Sequence, residues 1–180
     1  MKQVLLLGDS LRMGYQPVVK KKLEGRAGVS GPEENGRWAG YTLNSLRFWL
    51  PWLPKPEIIH WNCGLWDLGD DYGLGRPFSL PDEYESALER TITVFGKLCP
   101  GAAVIMATTM PTARGDAEDI KSYNEILKNV AKRHNIEVND LFAELWPHRD
   151  EYIGPDTIHL TPEGYEAIGG KVAAVIEKYL

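Results

Sequence analysis

The sequence predicts a three-layer α/β/α sandwich whose central sheet has five parallel strands in flavodoxin-like order. Five short apolar runs alternate with longer segments in which apolar residues recur at helical spacing. Strands separated by helices favour parallel pairing through right-handed crossovers, with helices on both faces of the sheet. No repeat, low-complexity tract or linker interrupts this alternation, so we expect a single domain over residues 1–180.

The predicted strands are short and mostly apolar, as is usual for strands buried on both faces. They are Val4–Leu7, Ala27–Ser30, Glu57–Cys63, Ala102–Ala107 and Ile136–Asn139. Sites in such sheets form at the carboxyl ends of the strands. The residues that follow each strand are therefore the first candidates for function.

Helical spacing of apolar residues predicts the connecting elements. One helix follows the first strand through about residue 24, and the others are Thr42–Leu50, Pro81–Leu98, Ala117–His134 and a last helix capped by Thr161. Segments 31–40 and 64–80 are rich in glycine and other turn-forming residues, and we expect them to be loops.

Charge and composition exclude several function classes. The formal net charge is −5 and the pI about 5.4, so the chain lacks the basic surface that nucleic acids and anionic membranes attract. No stretch approaches 18 consecutive apolar residues and no signal-peptide pattern precedes the first strand, so we expect a cytoplasmic protein. Metal-ligand spacings are also absent. We expect no metal, no other cofactor and a small molecule as the partner, while the oligomeric state stays open.

A serine follows the first strand in the segment Gly-Asp-Ser-Leu, residues 8–11. There the chain turns from a strand into a helix, and the helix N-terminus favours a developing negative charge. Aspartate and serine are also common N-cap residues, so Asp9 or Ser10 has a purely structural interpretation as well. The motif alone leaves both interpretations open.

An aspartate and a histidine lie three residues apart in the segment Asp-Thr-Ile-His, residues 156–159. This spacing lets the carboxylate reach one ring nitrogen while the other faces the sheet edge. A serine nucleophile needs such a base, and a carboxylate that fixes the tautomer of the base. The alternative is a capped turn with a surface histidine. Because both motifs lie at the carboxyl edge of the predicted sheet, we expect Ser10, His159 and Asp156 to act together.

These motifs, in this order, resemble the SGNH hydrolase family, also called the GDSL esterases and lipases. The resemblance rests on residues 8–11, Gly40, residues 64–67 and residues 156–159, and it covers essentially the whole chain. It implies the α/β/α fold of that family and a Ser10–His159–Asp156 triad. It also implies that the backbone N–H groups of Ser10 and Gly40 are oxyanion donors.

The third block departs from the family pattern. The family reads Gly-x-Asn-Asp there, with the Asn side chain as a further oxyanion donor, whereas residues 64–67 read Gly-Leu-Trp-Asp. Asn62, near the end of the third strand, and Trp66, at the family's Asn position, each carry an N–H group that can replace this donor. The compact amide leaves more room for a substrate, so we favour Asn62, with Trp66 as its rival.

Three further residues are candidates for the substrate pocket. Trp38 and Trp66 fall in loops at the candidate edge, and Arg12 follows the nucleophile motif. Arg37 and Arg114 also fall near this edge. An arginine there can hold a carboxylate or a sugar hydroxyl, and a surface or structural role is the alternative for each.

Two other groups are given structural roles. Three tryptophans lie in apolar patterns and are predicted to be core residues: Trp49, Trp52 and Trp61. Three aspartates do not match a calcium-binding loop and are predicted to lie in a solvated loop: Asp67, Asp70 and Asp71.

The expected activity is hydrolysis of a carboxylic ester through an acyl-enzyme. No insertion is long enough to form a large lid, which favours a short acyl group such as acetyl on a sugar or similar alcohol. A lipid or thioester substrate stays open. So does a non-catalytic binding module of the same fold that holds a phosphate or nucleotide at residues 8–10.

Overall fold

The computed structural model describes residues 1–70 and 72–180, which form a five-stranded parallel sheet. Its strands are β1 Lys2–Leu7, β2 Ala27–Ser30, β3 Ile58–Asn62, β4 Ala103–Ala107 and β5 Glu137–Asn139. The strand order is β2-β1-β3-β4-β5, which confirms the predicted fold class and its flavodoxin-like order. Asp71, from the predicted solvated loop, lies outside the described residues.

Eight α-helices connect the strands of this described part. They are α1 Ser10–Lys22, α2 Ala39–Trp49, α3 Leu65–Leu68, α4 Pro81–Leu98, α5 Ala117–Arg133, α6 Leu141–Leu145, α7 Arg149–Tyr152 and α8 Pro162–Glu177. The prediction missed α3, α6 and α7, since four or five residues are too few to show helical periodicity. None of the helices in the described residues is long and apolar enough to cross a membrane.

The strands separate two apolar cores. Along β1, Val4 and Leu6 pack towards one layer of helices, while Leu5 and Leu7 pack towards the other. All four are fully buried, as a strand with two covered faces requires. Among the predicted core tryptophans, Trp49 and Trp61 are buried. The prediction for Trp52 is wrong, because this residue, which follows α2, is 88% exposed.

Helices α1 and α8 lie against each other on one face of the sheet, at unusually close range. A Cβ atom on Gly169 of α8 would come within 2.6 Å of the Val18 side chain on α1, and one on Gly14 would collide with the ring of Tyr165. The contact therefore depends on small residues. It brings the start of α1 next to the segment that precedes α8, and so joins the two ends of the chain at the carboxyl edge of the sheet.

Candidate active site

Two neighbouring residues at the start of α1 have different roles. Asp9 is the N-cap, and its carboxylate accepts a hydrogen bond from the Leu11 N–H at 3.0 Å. Its buried side chain thus satisfies one of the free N–H groups of the helix. Ser10 is left as the first residue of the helix, half-buried, with its hydroxyl free for another partner.

That partner is His159. Its Nε2 atom lies 2.8 Å from the Ser10 hydroxyl oxygen, and its Nδ1 atom lies 2.6 Å from a carboxylate oxygen of Asp156. The structure thus brings together the three side chains that the sequence singled out, in the order nucleophile, imidazole, carboxylate. With Nδ1–H donated to Asp156, the lone pair of Nε2 faces the serine hydroxyl, as a general base needs.

The turn that carries Asp156 and His159 is held by its own hydrogen bonds. Asp156 accepts the backbone N–H groups of Ile158 at 3.0 Å and His159 at 2.8 Å. The bond from Ile158 contributes most, and together with the contact to the imidazole and the His159 N–H it lowers the pKa of Asp156 to about 2. The carboxylate therefore stays ionised at any pH where the protein is expected to work.

Ser10 and His159 open into a cleft of about 300 Å³. The sequence analysis predicted Trp66 in the pocket and Arg114 near it, and both residues line this cleft. Six lining residues were not singled out from the sequence: Leu65, Leu68, Gly69, Asp116, Asp119 and Ile158. Their position in the sequence could have indicated them, because each lies within a few residues of a segment that follows a strand, or of the Asp-His motif.

Trp38 and Gly40 are not part of this cleft. Helix α2 begins at Ala39, so Gly40 lies in its first turn, with the Trp38 ring against it. Both line a separate groove of about 900 Å³ between α2 and α4, where Trp38 also contacts Phe78. Trp38 therefore lines this groove and not the cleft beside Ser10, which corrects the expectation for that residue, whereas the role of the Gly40 N–H as an oxyanion donor stays a prediction.

Another glycine, Gly36, packs against the turn that precedes Ser10. The Gly36 N–H donates to the Gly8 carbonyl at 2.8 Å, and a Cβ on Gly36 would come within 2.6 Å of that oxygen. Only glycine fits between the loop and the turn that carries Ser10. The sequence analysis did not single out Gly36, although it is the glycine that lies just before the true start of α2.

Asn62, the favoured third donor, faces away from the cleft. Side chains alternate along β3, and Asn62 shares the face of Ile58 and His60 that packs under α1. Its amide oxygen accepts the Tyr15 hydroxyl at 2.7 Å, and its amide nitrogen donates to Asp9 at 3.3 Å. The preference for Asn62 is therefore corrected: this buried amide supports the cap of α1, and Trp66 is the candidate that lines the cleft.

Arg12 is also corrected, because its guanidinium is buried instead of lining the pocket. Only 1% of the residue is exposed. The terminal nitrogens donate to the backbone carbonyls of Pro32 at 2.9 Å and Glu34 at 2.8 Å, and to the Gln16 side chain at 3.0 Å. Arg12 thus ties the loop 31–36 to α1 directly behind the nucleophile.

Asp67 was expected in a solvated loop and is instead fully buried. Its carboxylate accepts the Ala39 N–H at 3.0 Å and the Ser79 hydroxyl at 2.8 Å. Burial raises the pKa of Asp67 to about 6, which those hydrogen bonds only partly offset. Because Trp66 is its neighbour, Asp67 joins the wall of the cleft to the start of α2.

The described residues show which chemical groups the site can offer. In the described part of the chain, no group of three or more His, Cys, Asp or Glu side chains is arranged to hold a metal ion. The residues of the cleft instead offer one imidazole, one hydroxyl and the N-terminus of α1, which suit nucleophilic chemistry at a carbonyl.

Comparison with solved structures shows a shared fold. A lipase/acylhydrolase from Enterococcus faecalis is 23% identical, with a TM-score of 0.82 over 100% of this chain and 97% of its own. The acetyl xylan esterase AlAXEase is 18% identical, with a TM-score of 0.80 over 97% of this chain and 99% of its own. A carbohydrate esterase family 3 protein from Talaromyces cellulolyticus is 18% identical, with a TM-score of 0.80 over 99% and 98% of the two chains.

Sequence comparison identifies the family. No curated protein matches the chain. The model of the GDSL-like lipase/acylhydrolase family, however, matches residues 6–167, which is most of the sequence and includes the segments 8–11 and 156–159. The chain therefore belongs to the GDSL-like lipase/acylhydrolase family and is a carboxylic ester hydrolase.

Proposed function

We propose that this protein is a serine esterase that removes a short acyl group, such as acetyl, from a sugar or similar alcohol. The observation that carries the proposal is the imidazole of His159, 2.8 Å from the Ser10 hydroxyl and 2.6 Å from the Asp156 carboxylate. In this arrangement Ser10 is the nucleophile, His159 the general base and acid, and Asp156 the group that orients the imidazole.

The proposed reaction has two stages, formation of an acyl-enzyme and its hydrolysis. The Ser10 oxygen attacks the ester carbonyl while Nε2 of His159 takes the hydroxyl proton, and a tetrahedral oxyanion forms. His159 then gives that proton to the leaving alcohol as the carbon–oxygen bond breaks, which leaves an acyl-enzyme. Water attacks the acyl carbonyl, His159 takes its proton, and the acid departs as Ser10 regains its hydrogen.

The oxyanion needs donors at the base of the cleft. The backbone N–H of Ser10 is at the first position of α1, where the helix dipole favours negative charge. We propose the indole N–H of Trp66 as the side-chain donor that replaces the family's asparagine. Trp66 lines the cleft with Ser10, is 38% exposed, and its N–H has no hydrogen-bond partner among residues 1–70 and 72–180.

Replacing Trp66 with phenylalanine tests this donor. The change keeps an aromatic ring but removes the N–H group together with the rest of the five-membered ring of the indole, a loss of volume that the control variant shares. We expect kcat on 4-nitrophenyl acetate to fall by about 10²-fold with little change in KM, since one oxyanion donor contributes about 10²–10³ in rate. Trp38→Phe is the matched control because the same change falls in the separate groove. Wild-type kcat in Trp66→Phe would show that the indole is not a donor.

The size and lining of the cleft support a short acyl group. About 300 Å³ is at the low end for ligand pockets, and it must hold part of the alcohol as well. Its apolar lining is confined to a few side chains, Leu65, Leu68 and Ile158 beside Trp66. Two structurally similar proteins are acetyl xylan esterases, which also favours acetyl as the acyl group.

A series of 4-nitrophenyl esters tests the acyl preference. We expect kcat/KM to be about tenfold or more higher for acetate than for octanoate, because the longer chain exceeds the apolar part of the cleft. Progress curves at matched enzyme concentration give the comparison. A higher kcat/KM on octanoate would instead assign the protein to the lipid acylhydrolases.

Labelling with a fluorophosphonate distinguishes the esterase from a non-catalytic binding module. The reagent forms a covalent adduct only with an activated serine, so the esterase should carry one adduct on the peptide that contains Ser10. Peptide mass spectrometry locates the adduct, and acid-denatured protein is the control. An unmodified Ser10 in the folded protein, together with no ester turnover, would favour the binding module.

A further inference from the structure

The cleft beside the proposed nucleophile is lined by side chains of two chemical kinds. Leu65, Leu68 and Ile158 supply apolar surface. Arg114, Asp116 and Asp119 supply one guanidinium and two carboxylates. An ester also has two parts, an acyl group and an alcohol. The apolar residues suit the short acyl group, so the charged residues are the candidates for contact with the alcohol.

Arg114 is fixed at one end and free at the other. Its Nε atom donates to the Thr157 hydroxyl at 3.2 Å, and Thr157 lies between the two triad residues Asp156 and His159. Its terminal nitrogens form no ion pair or hydrogen bond with any residue in the described part of the chain. The guanidinium is therefore anchored to the catalytic turn with up to four N–H donors directed at solvent or at a ligand.

Asp119 provides the complementary acceptor. It lies in the first turn of α5, where the helix dipole also stabilises a negatively charged side chain. Glu118 in the same turn offers that same dipole effect, yet it pairs with Lys121 at 2.7 Å and does not line the cleft. The Asp119 carboxylate lines the cleft and accepts no hydrogen bond from a described residue, whereas Asp116 already accepts the Thr112 hydroxyl at 2.5 Å.

We propose that Arg114 and Asp119 form a subsite for the alcohol part of the substrate, and that this alcohol is polyhydroxylated, as in a sugar. The inference rests on the proposed esterase function and names the residues that select its substrate. A sugar hydroxyl both donates and accepts, so neighbouring hydroxyls can accept from Arg114 and donate to Asp119 at once. A plain alkyl alcohol would desolvate both charges without replacing their hydrogen bonds. An anionic alcohol would meet two carboxylates and only one guanidinium.

The test compares two acetyl esters that differ only in the alcohol. One is 4-nitrophenyl acetate, whose leaving group has no neighbouring hydroxyls, and the other is a mono-O-acetylated methyl pyranoside, followed by acid release in a pH-stat. We expect Asp119→Asn to lower the ratio of kcat/KM for the sugar ester to that for the aryl ester by about tenfold or more, mainly through KM. Glu118→Gln is the matched control, and its ratio should equal that of the wild type.

A second measurement does not depend on turnover. Saturation-transfer NMR should detect the methyl pyranoside bound to the Ser10→Ala protein and should lose most of the signal in Ser10→Ala/Asp119→Asn. An unchanged ratio in Asp119→Asn, or equal pyranoside signals in these two proteins, would overturn the subsite. Failure of the esterase proposal looks different, since it would abolish hydrolysis of both esters and the fluorophosphonate adduct in the wild type.

Discussion

Ser10→Ala should lower kcat/KM on 4-nitrophenyl acetate by about 10³-fold or more, while the urea midpoint of unfolding stays near that of the wild type. The hydroxyl contributes the bond-forming oxygen, and its described partner is His159 at 2.8 Å. Removing it leaves the Asp9 cap of α1 intact, so the fold has little reason to change. Stopped assays give the rates, and circular dichroism in urea gives the midpoint.

The same mechanism predicts how substitutions combine. His159→Ala should cost about as much as Ser10→Ala, and the double variant should be no slower than either single one, because the residues act as a unit. Ser86→Ala, an exposed serine on α4, is the matched control and should keep wild-type activity. If the loss of activity in the double variant equalled the product of the two single losses, a shared catalytic role would be contradicted. Near-wild-type activity of Ser10→Ala would contradict it as well.

The largest expected effect on stability belongs to Arg12. Arg12→Met keeps an unbranched apolar stem but removes the guanidinium, and with it the donors to the Pro32 and Glu34 carbonyls. It also removes the positive charge next to Asp9, whose pKa burial already raises. We expect the free energy of unfolding to fall by about 3 kcal/mol, since hydrogen bonds from a charged group are strong and buried partners are left without them. Urea titration followed by circular dichroism measures this change.

The control for Arg12 is Arg90→Met, an exposed arginine on α4, which should change the free energy of unfolding by no more than about 0.5 kcal/mol. The two interpretations of Arg12 give opposite results. If Arg12 lined the pocket, its substitution would raise KM and leave the stability near that of the wild type. If Arg12 ties the loop to α1, its substitution lowers the free energy of unfolding, so an unchanged midpoint in Arg12→Met would contradict this structural role.

The sequence predicted the parts of the site that local rules control. Ser10 and the Asp156–His159 pair lie in turns directly beside a strand or a helix start. Such turns can be recognised from a few neighbouring residues, as can the strands whose carboxyl ends set the edge of the sheet. The five predicted strands agree with the observed ones to within a few residues, because short apolar runs leave little freedom in where a buried strand begins.

The errors all depend on information that lies elsewhere in the chain. Whether Asn62 faces the cleft depends on the phase of β3, and a shift of one residue reverses the answer. Helix α2 begins at Ala39 instead of Thr42, and the preceding Gly36 packs against the Gly8 carbonyl, a contact that only the folded loop reveals. Arg12 follows the nucleophile closely in sequence, yet the fold of the loop 31–36 over α1 buries it.

The packing of α1 against α8 has a consequence for when the enzyme becomes active. The contact between Ser10 and His159 spans 149 residues, so the nucleophile leaves the ribosome long before its base. Until α8 docks through Gly14 and Gly169, Ser10 is an ordinary alcohol with no proton acceptor nearby. The proposed triad therefore forms only when the fold is complete: a nascent chain, or one cut between the two motifs and separated, would lack the base that the proposed mechanism needs.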